Sequence, residues 1–493
     1  MVVKLNSATL GMISGDVGKP AYDRDAVRPG IAHIGVGGFH RSHEAMYVNR
    51  LLSESDQAGW AIAGIGVLPS DRSMRDVLGA QDNLYTLATR APDGSSEAQI
   101  IGSIVDYRYV PDDPTGALRL LTSDAIKFVS LTITEGGYRI NDETGEFDST
   151  GRDVVEDLAR ADGPPATVFG LITEALRRRR ALGIKPFTVL SCDNIEDNGG
   201  VARRSFTAFA ALKDPELAEW MKENVSFPSS MVDRITPATT AQSREFVERS
   251  YGIDDGWPVV SESFVQWVVE DRFTLGRPAL ERVGVQLVDD VRPYEAMKLR
   301  LLNASHQAMS YLGILAGHTY VHEAVNDPDI SAFVLGYMTD EATPTLAPVP
   351  GVDLGQYRQD LLSRFSNPAI IDTLARQVVD GSERIAKFLL PVARERLLAD
   401  KPVDHIALVI AAWAEYIRQT TRSSGLDALH DSRAAELVRA SEGEAAGRII
   451  LDLPLFGTIG QNPDFVAAYR IARSRLLADG PIPAIRALTR VDR

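Results

Sequence analysis

The chain of 493 residues is too long for one hydrophobic core, which rarely grows beyond about 250–300 residues, so two domains are expected. Its composition, 44% hydrophobic and 24% charged, is that of a globular protein and not of a disordered one. The formal net charge of −15 disfavours nucleic acids and anionic membranes as partners, because both present phosphate groups.

The chain carries one cysteine and no long apolar stretch. Cys192 alone cannot form an intramolecular disulfide or a cysteine-rich zinc site, and this usage is typical of a reducing compartment. No apolar run approaches the roughly 18 residues that a membrane-spanning helix requires. Residues 1–20 lack the apolar core of a signal peptide. We therefore expect a cytoplasmic protein that binds neither nucleic acid nor membrane.

Short apolar strands alternate with helical segments in the first part of the chain, which predicts an α/β domain with a mostly parallel, doubly wound sheet. The predicted elements are, in chain order, a strand that runs into a glycine turn at 31–38, a helix at about 41–53, strands at 60–67, 100–105 and 128–133, a helix at 168–182 and a strand at 187–191.

From about residue 290 onward nearly every periodic segment is helical. The predicted helices are 294–315, 354–365, 370–379 and 402–420. This change of character predicts a dinucleotide-binding α/β domain at residues 1–287, followed by a mostly α-helical substrate-binding domain at 288–493.

A glycine-rich turn follows the first predicted strand. Residues 35–41 read GVGGFHR, so Gly35, Gly37 and Gly38 stand between a strand and a helix. Glycines there permit a tight turn and let backbone N–H groups approach a pyrophosphate at the helix N-terminus. His40 stands where the pattern G-x-G-x-x-G has its third glycine. The turn favours nucleotide binding, but a strand–turn–helix that binds no nucleotide would look similar.

A carboxylate follows the second predicted strand. Asp71 stands where a carboxylate hydrogen-bonds the ribose 2′-hydroxyl and repels a 2′-phosphate, which favours NAD over NADP. It lies further from the glycine turn than the usual spacing of about 20 residues. Arg72 beside it could accept a phosphate, and a surface charge without a ligand remains an alternative interpretation of Asp71.

The most informative segment opens the helical part of the chain. At about 100° per residue, a helix places Glu295, Lys298 and His306 on one stripe, with Asn303 beside His306. Oxidation of an alcohol without a metal needs a base, and a buried lysine is suited to that task. Lys298 is the candidate base, and Asn303 would steady the reacting oxygen. His306 would bind a neighbouring hydroxyl, while Glu295 would pass the proton to solvent.

Other interpretations of these residues stay open. A solvated helix face commonly carries Glu–Lys pairs at this spacing. Tyr294 and Lys298 match the Tyr-x-x-x-Lys pair of short-chain dehydrogenases, but in that family the pair lies inside the nucleotide domain of a shorter chain. His40 and His43 have the spacing of metal ligands, yet no third ligand is evident, and we expect no metal site.

With these motifs in order, the chain resembles the mannitol dehydrogenase family, the long-chain polyol-specific dehydrogenases. The resemblance covers nearly the whole chain, and its core pattern Val-Asp-Arg-Ile-x-Pro is highly specific. The motifs that carry it are GVGGFHR at 35–41, SLTITEGGY at 130–138, SCDN at 191–194, MVDRITP at 231–237 and KLRLLNASH at 298–306.

The resemblance implies a Rossmann-type first domain, a helical second domain and an active site in the cleft between them. It implies that Lys298 is the general base and that Asn194 and Asn303 form an oxyanion hole. It also implies Glu295 as the gate for the proton and no metal. The implied cofactor-binding residues are Gly35, Gly37, Gly38, Phe39, Asp71 and Val232, and the implied substrate-binding residues are His306, Asp233, Arg376 and Arg384.

Two positions depart from the family pattern. Ser70-Asp71 stands where a family member has Glu-Asp, so one charge that repels NADP is missing. Arg384 lies where a lysine is expected in the sugar pocket, and arginine is larger and planar. Both departures bear on specificity, the first for the cofactor and the second for the polyol.

The expected reaction is oxidation of D-mannitol at C2 by NAD⁺ to D-fructose, by a monomer. Sorbitol or arabinitol could replace mannitol. A second candidate is a hexuronate oxidoreductase of the mannonate or altronate type, which would need a cation such as Arg376, Arg384 or Lys387. A third is a nucleotide-binding regulatory or structural protein that has lost its chemistry, which the intact Lys298, Asn194 and Asn303 disfavour.

Overall fold

The computed structural model describes residues 2–54, 56–141, 144–160, 164–441 and 453–489. The chain divides into two compact units, Met1–Arg292 and Pro293–Arg493. Among the helices in the described part of the chain, none is long and apolar enough to cross a membrane.

The first unit is built on a five-stranded parallel sheet. Numbered along the chain, its strands lie in the order third, second, first, fourth, fifth, which is the predicted doubly wound topology. Side chains on both faces of the inner strands are buried, as expected where helices cover both faces. In spatial order the strands are Ile104–Tyr109, Ala61–Gly66, Pro29–Ile34, Phe128–Leu131 and Thr188–Ser191.

Smaller sheets complete the first unit. A three-stranded sheet carries the Val-Asp-Arg-Ile-x-Pro motif at the end of one of its strands, where Val232 pairs with Trp267. The strands of these sheets are Ser230–Asp233, Gln266–Glu270 and Gln286–Val288, then Tyr85–Arg90, Ser96–Ile101 and Val259–Glu262, and the pair Val3–Lys4 and Ile253–Asp254.

Helices of the first unit alternate with its strands. The α-helices are Gly38–Ser42, Glu44–Leu51, Arg72–Ala80, Pro114–Thr122, Arg152–Ala159, Val168–Ala181, Asn198–Lys213, Pro215–Asn224 and Ala241–Tyr251, and a further helix, Arg292–Met297, begins at the last residue of the unit.

The second unit is helical, as predicted. Among its described residues, three segments are π-helices, namely Lys298–Asn303, Tyr337–Ala342 and Ile385–Leu389. The α-helices are Ala304–Leu315, Val321–Asn326, Pro328–Gly336, Leu354–Phe365, Leu374–Gln377, Gly381–Arg384, Leu390–Leu398, Asp404–Ser424, Ala434–Ser441, Pro463–Asp479 and Pro481–Thr489.

Two predicted helices are wrong in detail. The helix expected at 41–53 is broken at His43, whose backbone leaves the helical region while its Nε2 lies 2.8 Å from the Gln266 carbonyl oxygen. The helix expected at 370–379 shrinks to Leu374–Gln377. The residues before it are held extended instead, because the Asp372 carbonyl accepts a hydrogen bond from the Val321 N–H.

The segment expected as one regular helix at 294–315 is also different. Two α-helices flank a π-helical turn at Lys298–Asn303, in which the Ala304 N–H donates to the Leu299 carbonyl, five residues back. A wider turn of this kind shifts every later side chain around the helix axis. The regular stripe at 100° per residue therefore does not describe this segment.

Candidate functional site

The glycine turn is fixed by contacts that only glycine permits at its first position. Gly35 has a φ of +98°, and a Cβ there would lie 2.1 Å from the Thr132 carbonyl oxygen. The Gly35 carbonyl accepts a hydrogen bond from the Thr132 hydroxyl at 2.6 Å. The first glycine therefore serves the packing of the turn against the neighbouring strand.

Packing does not explain why the next two positions, 37 and 38, are glycines. Gly37 is extended at φ −96°, and a Cβ there would meet nothing closer than 3.8 Å. At Gly38 the nearest atom is a Thr236 methyl group, also at 3.8 Å. The protein's own packing thus does not require glycine at either position. The first N–H groups of a helix lack partners within it, so this is where we expect the pyrophosphate from the sequence. Phe39 follows in that turn and is half-buried.

A buried hydrogen-bond network lies beneath the turn. The Glu44 Oε2 atom accepts from the Ser130 hydroxyl at 2.8 Å and lies 3.1 Å from His33 Nδ1 and 3.2 Å from His40 Nδ1. Burial opposes ionisation of Glu44, but hydrogen bonds from the two imidazoles outweigh it and hold the pKa of this carboxyl below its ordinary value. His40, in the place of the third glycine, therefore anchors the helix from inside.

These three residues are of the types that bind metals, and their ligand atoms lie within 4.8 Å of one another. His33 comes from the first strand, so this group differs from His40 and His43, whose spacing alone had suggested metal ligands. The His33 and His40 rings stack at 3.4 Å between centroids, with 13° between their planes. A histidine lone pair lies in the ring plane, so two stacked rings do not converge on one ion. The geometry is that of a hydrogen-bond network.

Asp71 closes the turn after the second strand. Its Oδ2 atom accepts hydrogen bonds from the Val67 and Leu68 N–H groups, each at 2.9 Å. Arg72, which could have faced a phosphate, instead donates to Asp112 at 3.1 Å. The carboxylate expected near the ribose is thus held by the backbone at the carboxyl end of its strand.

The Val-Asp-Arg-Ile-x-Pro motif is tied to the glycine turn's helix. Arg234 is buried, and its guanidinium donates to the Ser42 carbonyl and to the Glu262 carbonyl. The Thr236 hydroxyl lies 2.8 Å from the Ser42 hydroxyl. Val232 and Asp233, the two residues directly before Arg234, are each 3% exposed. The motif's arginine therefore positions the two residues expected to face nicotinamide and substrate.

Asn194 stands at the carboxyl end of the fifth sheet strand and is half-buried. Its neighbour Asp193 accepts hydrogen bonds from the Ile133 and Thr134 N–H groups at 3.0 and 2.9 Å and from the Tyr138 hydroxyl at 2.7 Å. Burial raises the pKa of Asp193 to about 6 despite these bonds. Asp193, which directly precedes Asn194 in the chain, thus holds the segment SLTITEGGY close to Asn194.

In the second unit, four predicted residues come from one continuous segment. Glu295, Lys298, Asn303 and His306 are all buried, with exposures of 4%, 8%, 8% and 7%. The π-turn runs from Lys298 to Asn303, so its wider spacing brings residues five apart nearly above each other. A regular helix would have placed Asn303 well to one side of Lys298. The structure therefore moves the amide toward the amine.

His306 lies among charged groups of later segments. Burial lowers its pKa to about 4, and the charges of Asp372, Arg376 and Arg384 also act on it. Among the described residues its Nε2 atom is buried without a hydrogen-bond partner. Its ring stands 4.6 Å from that of Phe365. The imidazole is thus neutral and has a nitrogen available for a hydroxyl.

The two predicted arginines differ in their bonding. Arg376 donates to both oxygens of Asp372, at 2.8 and 2.7 Å. Arg384 makes one long hydrogen bond, 3.5 Å to the Gln377 side-chain oxygen, as far as the described residues go. The structure therefore brings His306, Arg376 and Arg384 into one neighbourhood and leaves Arg384 the less committed cation.

Comparison with known proteins places these features in a family. Residues 29–282 match the model of the mannitol dehydrogenase Rossmann domain, and residues 290–476 match that of the mannitol dehydrogenase C-terminal domain. The chain belongs to the mannitol dehydrogenase family.

Individual members of this family are similar to the chain over most of their length. A mannitol 2-dehydrogenase of Phaeosphaeria nodorum is 42% identical over 97% of this chain and 84% of its own length. A polyol:NADP oxidoreductase of Gluconobacter oxydans is 43% identical over 91% of this chain and 92% of its own. The structure of Pseudomonas fluorescens mannitol 2-dehydrogenase in ternary complex with NAD and D-mannitol matches with a TM-score of 0.90 and 44% identity, over 99% of this chain and 100% of that one.

Several residues that shape this family member's site were missed from the sequence. Arg234 and Asp193 stood inside quoted motifs but carried no assigned role. Glu44 and His33 gave no signal, because their pairing joins a strand to a helix. An arginine or carboxylate inside an otherwise apolar motif was the available clue, since buried charges require partners.

Proposed function

We propose that this protein oxidises a polyol at C2 to the ketose with NAD⁺, converting D-mannitol to D-fructose in the preferred case. The observation that carries the proposal is that Lys298 is a buried residue on a π-turn that ends at Asn303. A lysine is costly to bury, and π-turns recur at functional sites.

Lys298 acts as the base in this proposal. A general base that works near neutral pH must be uncharged, so this role requires the neutral amine of Lys298. The neutral amine takes the proton of the C2 hydroxyl, and the alkoxide that develops there is stabilised by amide N–H donors. Asn194 and Asn303 are the donors we assign, and Glu295, one turn before Lys298, passes the proton to solvent.

The remaining substrate contacts come from groups that are suited to hydroxyls. Neutral His306 offers its Nε2 atom to a hydroxyl next to C2, and Asp233 accepts from another. Arg376 and Arg384 would bind hydroxyls at the far end of the sugar. Such contacts hold the reacting carbon in place, which contributes more to the rate than affinity alone.

The cofactor site that we assign starts at the glycine turn. Gly35, Gly37, Gly38 and Phe39 would hold the pyrophosphate, and Asp71 would accept from the ribose 2′-hydroxyl. Val232 would flank the nicotinamide ring. NAD⁺ supplies the hydride acceptor when bound.

Arg384 favours a second candidate, oxidation of a sugar acid. Its guanidinium makes only the 3.5 Å contact with Gln377 among the described residues, and arginine binds carboxylates in bidentate fashion. Arg376 is less suited, because Asp372 already occupies it. Lys387 is exposed and paired with Glu383.

One panel tests both candidates. Rates of cofactor reduction would be measured by absorbance with D-mannitol, D-sorbitol, D-arabinitol and D-mannonate, each with NAD⁺ and with NADP⁺. We expect the highest kcat/KM for D-mannitol with NAD⁺. A higher kcat/KM for D-mannonate would replace the first proposal with the second, and no reduction with any substrate would refute both.

We further propose that the protein works as a cytoplasmic monomer without a metal. The single cysteine, Cys192, is buried, which suits a reducing compartment. Light scattering at working concentration is expected to give the mass of one chain, and a dimer mass would contradict the monomer.

A further inference from the structure

We propose that Asp112 is a determinant of cofactor choice, because it holds the two arginines that could otherwise bind the 2′-phosphate of NADP. This inference rests on the proposed NAD-dependent function. Asp71 is expected to favour NAD over NADP, and Asp112, from the loop after a third strand, would contribute to the same selectivity.

Asp112 lies at the same edge of the sheet as Asp71. The strand Ile104–Tyr109 runs beside Ala61–Gly66, and Tyr109 pairs with Gly66 at the carboxyl ends of both. Asp112 follows Tyr109 in a tight turn. In doubly wound sheets the ribose 2′-position is read at the end of the second strand, so Asp112 is next to that position.

Each oxygen of Asp112 takes one arginine. Arg72 Nη2 donates to Oδ1 at 3.1 Å, and Arg75 Nη1 donates to Oδ2 at 2.9 Å. Both guanidinium groups also lie over the Tyr109 ring, at 5.3 and 5.2 Å from its centroid. The carboxylate and the ring together hold the two cations in one arrangement.

Both arginines are already paired with carboxylates. Arg75 is bonded to Asp76 as well as to Asp112, so two carboxylates face the two guanidinium groups. Arginine is the usual partner of a 2′-phosphate because its planar fork donates in bidentate fashion. Here one N–H of each guanidinium is bonded to Asp112, so a phosphate would have to compete with that carboxylate for both arginines.

The expected effect is moderate. Arg72 and Asp112 are 56% and 41% exposed, and ion pairs at such exposure are weak. Removing the charge of Asp112 is therefore expected to raise binding of a 2′-phosphate by about tenfold and not by several orders of magnitude. Binding of ligands without that phosphate should change less than about threefold.

The test compares two isosteric variants, Asp112→Asn and Asp106→Asn. Asp106 pairs with Arg108 at 2.8 Å on the same strand, so its variant loses an equal charge without releasing Arg72 or Arg75. Calorimetric titration with adenosine 2′,5′-bisphosphate and with AMP isolates the 2′-phosphate and does not depend on turnover. The ratio kcat/KM for NADP⁺ over NAD⁺ is measured in parallel.

The inference predicts tighter bisphosphate binding, and a higher NADP⁺ to NAD⁺ ratio, in Asp112→Asn alone, with the gain lost again in Asp112→Asn combined with Arg72→Ala and Arg75→Ala. An equal gain in Asp106→Asn would overturn it, because net charge would then explain the effect. No gain in Asp112→Asn would overturn it as well. Absence of polyol oxidation in the unmodified protein would instead refute the proposed function.

Discussion

The glycine turn of the first unit and the lysine segment of the second follow different rules. In the turn, local contacts determine the backbone, since a Cβ at Gly35 would lie 2.1 Å from the Thr132 carbonyl oxygen. In the lysine segment, no residue type demands the π-turn at Lys298–Asn303, and glycine and proline do not occur in it. The sequence predicted both the position and the backbone shape of the glycine turn. For the lysine segment it predicted a helix with the right residues but not the π-turn.

The difference shows where function constrains structure. Gly35 would be required in this turn whether or not a nucleotide bound there, whereas Gly37 and Gly38 have no internal reason to be glycine. The π-turn carries Lys298 and Asn303 without an evident packing need. Features that local packing does not explain are the ones we assign to ligand and chemistry.

The largest effect is expected for Lys298→Ala. Losing a general base lowers kcat by about 10²–10⁴-fold. Steady-state kinetics of mannitol oxidation, with thermal unfolding to verify folding, would measure it. Lys387→Ala is the matched control, because that exposed lysine pairs only with Glu383 among the described residues and should leave kcat unchanged. A kcat for Lys298→Ala within about tenfold of wild type would contradict the assigned role.

A pair of glycine variants separates packing from ligand binding. Gly35→Ala should destabilise the fold by about 1–3 kcal/mol, because its φ is positive and its Cβ would clash. Gly37→Ala should leave the melting temperature unchanged but weaken NADH binding, by about tenfold if one pyrophosphate contact is lost. Melting curves and fluorescence titration would measure the two effects. Unchanged NADH binding in Gly37→Ala would show that the open space is not the pyrophosphate site.

The pH profile distinguishes the amine from the imidazole. Burial lowers the pKa of His306 to about 4, so this group is neutral at every pH from 6 to 10. If Lys298 is the base, mannitol oxidation should rise with pH in that range, because only the uncharged amine accepts a proton, and fructose reduction should fall. His306→Asn should lower the rate but keep the shape of the profile. A flat oxidation profile in the wild type would argue against a titrating lysine.

The lowered pKa of His306 also affects the stability of the fold in acid. His306 has a lower pKa when folded than its ordinary 6.5, so the unfolded chain takes up the proton first. The neutral His306 does not reduce the free energy of unfolding above pH 6.5. As the pH falls from 6.5 toward 4, protonation of the unfolded chain lowers that free energy. Chemical unfolding at pH 7 and pH 5 should show a smaller loss for His306→Asn than for the wild type.

The smallest effect is expected for metal removal. The stacked rings of His33 and His40 do not converge on one ion, so Glu44 would keep its hydrogen bonds after chelation. Dialysis against EDTA should leave kcat and the melting temperature unchanged. A loss of activity that Zn²⁺ restores would show that this cluster, or another site, holds a metal.

The sequence was sufficient for the fold class of the first unit, although the strand predicted at 100–105 spans the end of Ser96–Ile101 and the start of Ile104–Tyr109. Apolar strands and the turn at 35–38 predicted the doubly wound topology, and Asp71 was expected at the end of the second strand. The contacts of Asp112 with Arg72 and Arg75 could not be predicted, because they join residues 40 and 37 positions apart in the chain. The π-turn was missed since a helical pattern does not reveal one extra residue per turn.

Chemical rescue of Lys298→Ala tests the central claim most directly. Small primary amines would be added to the variant, and the rate of mannitol oxidation would be followed as amine concentration and pH vary. The account predicts a rate that rises with the free-base concentration of the amine, while Lys387→Ala shows no such response. A variant rate that is independent of added amine, together with near wild-type activity, would contradict the assignment of Lys298 as the base.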